Sequence, residues 1–419
     1  MARRGYFPRT DSLRGLGAVA VLIVHAVFFA TGGQGSTVEQ YLSRLELVVP
    51  MFFMLSAFLL FRPFVLAHAE GGPVPGTGGY LARRGLRILP AYWVALTVIA
   101  LWLGLSGVFT LEGIPVYYGF LQLYGSTETL LGGIAQAWTI CVEVSFYLAL
   151  PFYALGVRRL AERRGIPWLR AQLLGLGALV VISEAYKLIV LLSGARVDAS
   201  AFEGVGTGVV LTPDPVLSAL PASLDQFAIG MAMAVATVAW RDRDTLPGVM
   251  GFFDRRPDVV WAVAIVAIGA SGALLGLTGN TNQRIGAEQF LGRHLLYTIG
   301  AAALLVPSIF ATASHGLTGR ILASRTLQWL GMISYGFYLW HFAWLVQLDR
   351  WGFDGVPGLP AELGWILVGV AGALAFASAS WYGLERPFLR IKPRFGRVPY
   401  LKTPAPPATG ESPPRRSEA

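Results

Sequence analysis

Long apolar stretches recur along this chain, and they constrain its fold more than any other feature of the sequence. A helix needs about 20 predominantly apolar residues to cross the hydrocarbon core of a bilayer. A soluble domain carries about 25% charged residues, whereas only 14% of these 419 residues are charged and 54% are hydrophobic. The sequence therefore predicts an all-α polytopic transmembrane helical bundle and excludes a soluble or a disordered protein. The predicted spans, about ten in number, cover residues 12–32, 48–68, 88–108, 137–157, 170–193, 222–240, 258–277, 290–313, 331–349 and 361–383.

Two segments fall outside this pattern. Residues 114–124 are apolar but too short to span, so we expect an interfacial or re-entrant segment there. Residues 393–419 are rich in Pro, Ser and charge, which is typical of disorder. We therefore predict one membrane domain over residues 1–392, followed by a disordered cytoplasmic tail. The single cysteine, Cys141, excludes an intrachain disulfide and a Cys-rich metal site.

The basic residues indicate how the spans are oriented. With the N-terminus in the cytoplasm, 27 of the 33 Lys and Arg residues fall in cytoplasmic segments, and the alternation holds at every loop. Counting residues 114–124 as a full span would break it for every later loop. Both termini are therefore predicted to be cytoplasmic, and the net charge of +9 is attributed to topology rather than to a nucleic-acid partner. The outer segments carry only Arg44, Arg196, Arg284, Arg293 and Arg350.

The first span carries three ionisable residues on one stripe. Arg14 and His25 are 11 residues apart, which is about 20° beyond three full helical turns, so both side chains share a face about 16.5 Å apart along the axis. Asp11 falls about 40° from His25 on the same stripe. Ionisable groups inside a membrane are costly and are functional candidates by default. We expect this face to point into the bundle.

His25 and Glu143 are predicted to lie at similar depths, about 10 Å below the outer boundary. If their helices are neighbours, the carboxylate can orient the imidazole as a general base, with Tyr147 on the same face as Glu143. From the residues alone, three interpretations stay open: catalysis, a structural pair, and a proton relay in a secondary transporter.

Other polar residues in or near the spans give weaker signals. Glu184 and Lys187, three residues apart, are predicted to neutralise each other. His341 is consistent with either a cavity position or a hydrogen bond to Tyr338. His294 and His315 lie near span ends, where we expect solvated roles. No spacing of His, Asp and Glu is typical of a metal site, so none is predicted.

Three arginines mark the cytoplasmic end of the third span. Arg84 and Arg87 are three apart on one face, with Arg83 adjacent. Neighbouring guanidinium groups are well suited to a phosphate-bearing ligand. The alternative is ordinary positive charge at a cytoplasmic boundary.

Six segments, in order over about residues 6–390, resemble the acyltransferase-3 family of integral membrane acyltransferases. Two departures stand out: Val144 replaces a second glutamate, and Ala57 replaces a glycine in the second span. An extracytoplasmic hydrolase-like domain fused to some members is not found in this chain. The matching segments are DSLRG at 11–15 with His25 beyond it, FFMLSAFL at 52–59, RRGLRILPAY at 83–92, WTICVEVSFYL at 138–148, SYGFYLWH at 334–341 and ERP at 385–387.

The resemblance implies a multi-pass enzyme of the bacterial inner membrane that moves an acyl group, often acetyl, from acyl-CoA to a hydroxyl. The implied acceptors are carbohydrates, glycolipids or macrolide-like natural products. It also implies that His25 and Arg14 are essential, that Glu143 supports them, and that Arg84 and Arg87 hold the coenzyme A phosphates. No metal is implied.

Together these features predict a mechanism. Coenzyme A docks on the arginines at the cytoplasmic mouth, and His25 deprotonates the acceptor hydroxyl. Transfer is either direct or through an acyl-histidine. Tyr147, Ser56, Tyr338 and His341 are candidates for substrate contacts or for stabilising the oxyanion. The alternatives are a proton-coupled secondary transporter and a non-catalytic partner of another transferase.

Overall fold

The computed structural model describes residues 7–34, 36–193, 215–241, 248–276, 286–311 and 316–395. Each predicted span coincides with a long helix in these ranges, and no strand occurs in them. His315 and most of the predicted tail lie outside the described residues. The long helices are α1 Pro8–Thr31, α2 Val48–Ala69, α3 Thr77–Leu103, α4 Trp138–Arg164, α5 Trp168–Leu192, α6 Leu220–Ala239, α7 Pro257–Leu275, α8 Ala287–Phe310, α9 Arg325–Arg350 and α10 Ala361–Ser380.

Local sequence sets the ends of these helices. Pro8 opens α1 in its first turn, where its missing N–H leaves no hydrogen bond unmade. Ser324 caps α9 by accepting a hydrogen bond from the Leu327 N–H. Gly104 and Gly165 end α3 and α4 with φ of 71° and 61°, a left-handed conformation that glycine adopts at little cost.

Within the described residues, nine helices are long and apolar enough to cross a membrane, by length and composition. They are α1 to α8 and α10, some extended by flanking turns. Helix α9 has the length but no sufficiently apolar stretch, and it is extensively buried between α1 and α10. A helix enclosed by other helices needs less apolar surface toward lipid. The protein is thus an all-α multi-pass membrane protein.

The segment 114–124 is not a long helix. It contains a helix over Gly113–Tyr118 and a short 3-10 turn over Gln122–Tyr124, each shorter than a bilayer crossing requires.

Helix packing places the polar residues of the bundle. Helix α1 packs most extensively against α9, α9 also contacts α10, and α6 packs against α2 and α5. Helix α4 touches α2 through the face that carries Glu143. Beyond α10, a π-helical turn over Trp381–Glu385 buries the Glu385 carboxylate, which accepts a hydrogen bond from Ser380 Oγ at 3.0 Å.

Candidate active site

Two cavities adjoin inside the bundle. The histidine cavity, with a volume of about 210 Å³, is lined by His25, Gln136 and Phe342 among others. The arginine cavity, of about 110 Å³, is lined by Arg14, Arg87, Ser56, Glu143 and Tyr147 among others. The two cavities share four wall residues, which are Val49, Phe53, Thr139 and Tyr338.

His25 forms a pair with a second histidine. His25 Nδ1 lies 3.0 Å from Nε2 of His341, and the two rings are stacked with centroids 5.1 Å apart. His341 is fully buried, and its Nδ1 lies 2.8 Å from the Tyr338 carbonyl oxygen. The sequence could not place these residues together, because they are on different helices, α1 and α9.

The carbonyl fixes the protons of this histidine pair. A carbonyl oxygen only accepts, so His341 Nδ1 carries the proton and donates it. In a neutral His341, Nε2 is then an acceptor, and His25 Nδ1 must be the donor to it. Neutral His25 keeps a free lone pair on Nε2, on a side chain that lines the histidine cavity. This is the protonation state that a general base requires.

The predicted pairing of His25 with Glu143 is wrong. Glu143 instead accepts a hydrogen bond from Ser56 Oγ at 2.6 Å and one from the Tyr147 hydroxyl at 2.8 Å. Similar depth in two spans does not make their side chains neighbours, because α1 directs His25 toward α9 while α4 directs Glu143 toward α2. The two residues line different cavities.

The shared face of Arg14 and His25 is confirmed, since both side chains reach the interior of the bundle. Arg14 lines the arginine cavity and pairs with Asp11, three residues earlier, at 3.4 Å. His25 lines the adjoining cavity. The stripe on α1 therefore runs past both cavities.

The three arginines of α3 occupy different positions. Arg87 lines the arginine cavity, and Arg84 lies beside it within electrostatic range of Arg87 and Tyr147. Arg83 donates a hydrogen bond at 2.7 Å to the carbonyl of Phe395, near the end of the described chain. Arg87 and Arg14 thus give the arginine cavity its cationic wall, and Arg84 lies about one helical turn before Arg87 on α3.

Tyr338 is a wall residue rather than a free proton donor. Its hydroxyl donates to the Gln136 carbonyl at 2.7 Å and lies 2.7 Å from Thr139 Oγ1. A phenol has one proton, so Thr139 is the donor in the second contact. Gln136 Nε2 in turn donates to the Tyr338 carbonyl at 2.8 Å. The sequence analysis did not single out Gln136 and Thr139. Their hydrogen bonds hold Tyr338, whose carbonyl oxygen orients His341.

A second buried polar cluster joins α5, α6 and α8. The predicted contact between Lys187 and Glu184 is confirmed at 2.8 Å. Asp225, which sequence reasoning missed, lies 3.3 Å from Lys187 Nζ and 2.6 Å from His294 Nε2. The solvated role expected for His294 is therefore wrong.

Donor atoms of Glu184, Asp225 and His294 lie within 4.8 Å of one another, a grouping that no sequence spacing indicated. The buried ammonium of Lys187 already contacts the two carboxylates and balances part of their charge.

Sequence comparison identifies relatives of the chain. It is 26% identical to nodulation protein 10 of Rhizobium leguminosarum bv. viciae over 82% of each protein. It is 27% identical to acyltransferase MdmB of Streptomyces mycarofaciens over 97% of each. It is 24% identical to peptidoglycan O-acetyltransferase OatA of Listeria monocytogenes serovar 1/2a, over 81% of this chain and 49% of that protein. The chain thus spans about half the length of the last relative. No solved structure matches it.

The family match covers nearly the whole membrane domain. The sequence model described as an acyltransferase domain matches residues 8–383, which include both cavities and all the candidate site residues. Acyl transfer, rather than the transport activity considered as an alternative, is therefore the activity of this membrane protein. The chain belongs to the acyltransferase-3 family.

Proposed function

We propose that the protein transfers an acyl group, most simply acetyl, from acyl-CoA to a hydroxyl of a carbohydrate, glycolipid or macrolide-like acceptor. The observation that carries this proposal is the pair of adjoining cavities with different chemistry. One has a cationic wall suited to a phosphate-bearing donor, and the other presents an imidazole in the protonation state of a base. Because the two cavities share wall residues, a donor in one and an acceptor in the other would bind next to each other.

The arginine cavity is the proposed donor site. Arg84 and Arg87 sit where the positive-inside pattern places the cytoplasm, the compartment that supplies coenzyme A. Guanidinium groups bind phosphates through charge-assisted hydrogen bonds. The phosphates dock on Arg84 and Arg87, with Arg83 at the mouth, and the pantetheine arm carries the thioester toward Arg14.

The histidine cavity is the proposed acceptor site. His25 Nε2 takes the proton of the acceptor hydroxyl as the oxygen attacks the acyl carbonyl carbon. The positive charge that His25 acquires strengthens its Nδ1–H hydrogen bond to His341, since charge-assisted hydrogen bonds are the stronger ones. His341 is thus a positioning residue for His25.

The named relatives support the choice of acceptor and membrane. One is a peptidoglycan O-acetyltransferase and another an acyltransferase, both from bacteria. We infer an acceptor that meets the enzyme at the bacterial cytoplasmic membrane.

The test combines a deletion strain with purified protein. Mass spectrometry of envelope glycans, lipids and secreted metabolites should show a product that loses one acyl group on deletion and regains it with wild-type protein. His25→Ala should reduce its formation roughly 10²- to 10⁴-fold, the usual contribution of a general base. Product formation by His25→Ala at the wild-type rate, from protein present at equal abundance, would refute the role of His25. A product formed without acyl-CoA would refute the donor.

A further inference from the structure

The shortest side-chain contact in the arginine cavity involves a serine. Ser56 on α2 donates its hydroxyl proton to Glu143 Oε1 at 2.6 Å. Tyr147 donates to the other carboxylate oxygen at 2.8 Å. Each carboxylate oxygen of Glu143 therefore has a hydroxyl within hydrogen-bond distance, and Glu143 is placed to take the Ser56 proton. A hydroxyl hydrogen-bonded to a base is the usual arrangement of an activated nucleophile.

The surroundings of Ser56 suit a thioester reaction. Arg14 lines the same cavity and supplies positive charge where an oxyanion and a thiolate would form. Ser56 follows the shared wall residue Phe53 by three positions, and Glu143 follows the shared Thr139 by four. Both groups therefore lie about one helical turn from the wall between the cavities.

The proposed base lies on the other side of that wall. His25 lines the histidine cavity and is hydrogen-bonded to His341, whereas Ser56 and Glu143 line the cationic cavity. An acyl group that is first attached to Ser56 could be approached by an acceptor from the histidine cavity. Coenzyme A and acceptor would then not need to react in one encounter.

We propose that Ser56 is a catalytic nucleophile that carries the acyl group between the two cavities, with Glu143 as its base. This inference rests on the proposed function. Ser56 Oγ attacks the thioester carbonyl carbon and its proton passes to Glu143. The carbon–sulfur bond breaks, and coenzyme A leaves as a thiolate beside Arg14, taking a proton from water after release.

The second half of the reaction restores the serine. The acceptor hydroxyl gives its proton to His25 Nε2 and attacks the ester carbonyl carbon on Ser56. The bond from that carbon to Ser56 Oγ breaks, and Oγ takes back the proton held by Glu143. His25 then releases its proton to water, so that the net reaction is acyl-CoA plus alcohol giving coenzyme A plus ester.

The experiment uses purified full-length protein in nanodiscs with radiolabelled acetyl-CoA and no added acceptor. We expect up to one equivalent of acid-stable, alkali-labile label on the peptide that contains Ser56. Ser56→Ala should abolish the label. His25→Ala should retain it, because His25 acts only in the second half. Ser145→Ala is the matched control, since its hydroxyl donates to the Cys141 carbonyl at 2.9 Å and contacts no carboxylate; it should label like the wild type.

A second variant gives a chemical signature that a structural role would not produce. Ser56→Cys should yield a thioester, which neutral hydroxylamine cleaves, in place of the hydroxylamine-resistant oxygen ester. Label on His25, or coenzyme A release by Ser56→Ala at the wild-type rate, would overturn the inference and leave the proposed function intact. A wild-type preparation that releases coenzyme A but carries no label would do the same. Failure of the folded wild type to consume acetyl-CoA with any acceptor extract would instead refute the proposed function.

Discussion

At the scale of single residues, one backbone oxygen sets which nitrogen of each histidine in the pair carries the proton. The Tyr338 carbonyl accepts from both His341 Nδ1 and Gln136 Nε2, each at 2.8 Å. It thereby fixes the proton on His341, and His341 fixes the proton on His25. The two neutral imidazoles thus form a hydrogen-bonded chain with a fixed direction, in which no carboxylate takes part.

Replacing His341 should damage the base without removing it. His341→Phe deletes the acceptor for His25 Nδ1–H, so the ring can turn and the free lone pair is no longer held toward the cavity. We expect kcat to fall roughly 10²-fold, at the low end of general-base contributions, with KM for acetyl-CoA unchanged. His341→Gln keeps an acceptor and should recover part of the rate. A rise in KM with an unchanged kcat would assign His341 to substrate binding instead.

Arg87 should determine donor affinity. Removing one hydrogen bond to a charged group costs about 1.5–3 kcal/mol, so Arg87→Ala should raise KM for acetyl-CoA roughly 10- to 100-fold. Acetyl-pantetheine, which lacks the phosphate groups of coenzyme A, should be used equally well by both proteins. Arg163→Ala, at an exposed position on α4, is the control for a general loss of positive charge. Equal effects of the two substitutions would mean that Arg87 contributes only bulk charge.

At the scale of helices, the site depends on how closely α1 approaches α9. A Cβ on Gly15 would lie 2.7 Å from the Leu327 carbonyl oxygen, and one on Gly331 would lie 1.9 Å from the Asp11 carbonyl oxygen. Each glycine therefore lies against the backbone of the other helix, nearer the predicted cytoplasmic end than the histidine pair. Small residues permit such close approach in membrane bundles.

Gly331→Ala should therefore separate the two helices that carry the histidines. Overpacking typically costs about 1–3 kcal/mol, so the thermal midpoint in detergent should fall, and transfer should fall because His25 loses its contact with His341. Gly177→Ala on α5 is the matched control, since a Cβ there meets nothing within 4 Å. Unchanged stability and activity in Gly331→Ala would show that the helices can separate without cost.

The positions of the helices along the chain were largely predictable from sequence, whereas the contacts between helices were not. Bilayer thickness sets the length of an apolar stretch, so every predicted span coincides with a long helix. The common face of Arg14 and His25 followed from the periodicity of one helix. Contacts between helices, such as His25 with His341 or Asp225 with His294, depend on bundle order, which span lengths do not encode. The sequence therefore predicted the interior position of His25 correctly and its partner incorrectly.

At the scale of the whole molecule, the proposed direction of transfer depends on which end of the bundle faces the cytoplasm. Two exposed serines flank the short segment 114–124: Ser106 precedes it and Ser126 follows it. If the segment does not cross the membrane, both must lie on the outer side, with Arg163 on the inner side. The single native cysteine, Cys141, is buried and can be replaced by Ser to give a background without thiols.

Ser106→Cys, Ser126→Cys and Arg163→Cys in that background should separate into two classes. A membrane-impermeant maleimide added to intact cells should label the first two proteins equally and the third only after permeabilisation. Acyl transfer by Cys141→Ser at the wild-type rate is the control that the background is folded. Labelling of Ser106→Cys without Ser126→Cys would mean that residues 114–124 do cross the membrane. Every helix from α4 onward would then reverse, and Glu143 on α4 and His341 on α9 would have the opposite orientation to the one that an inner donor site and an outer acceptor site require.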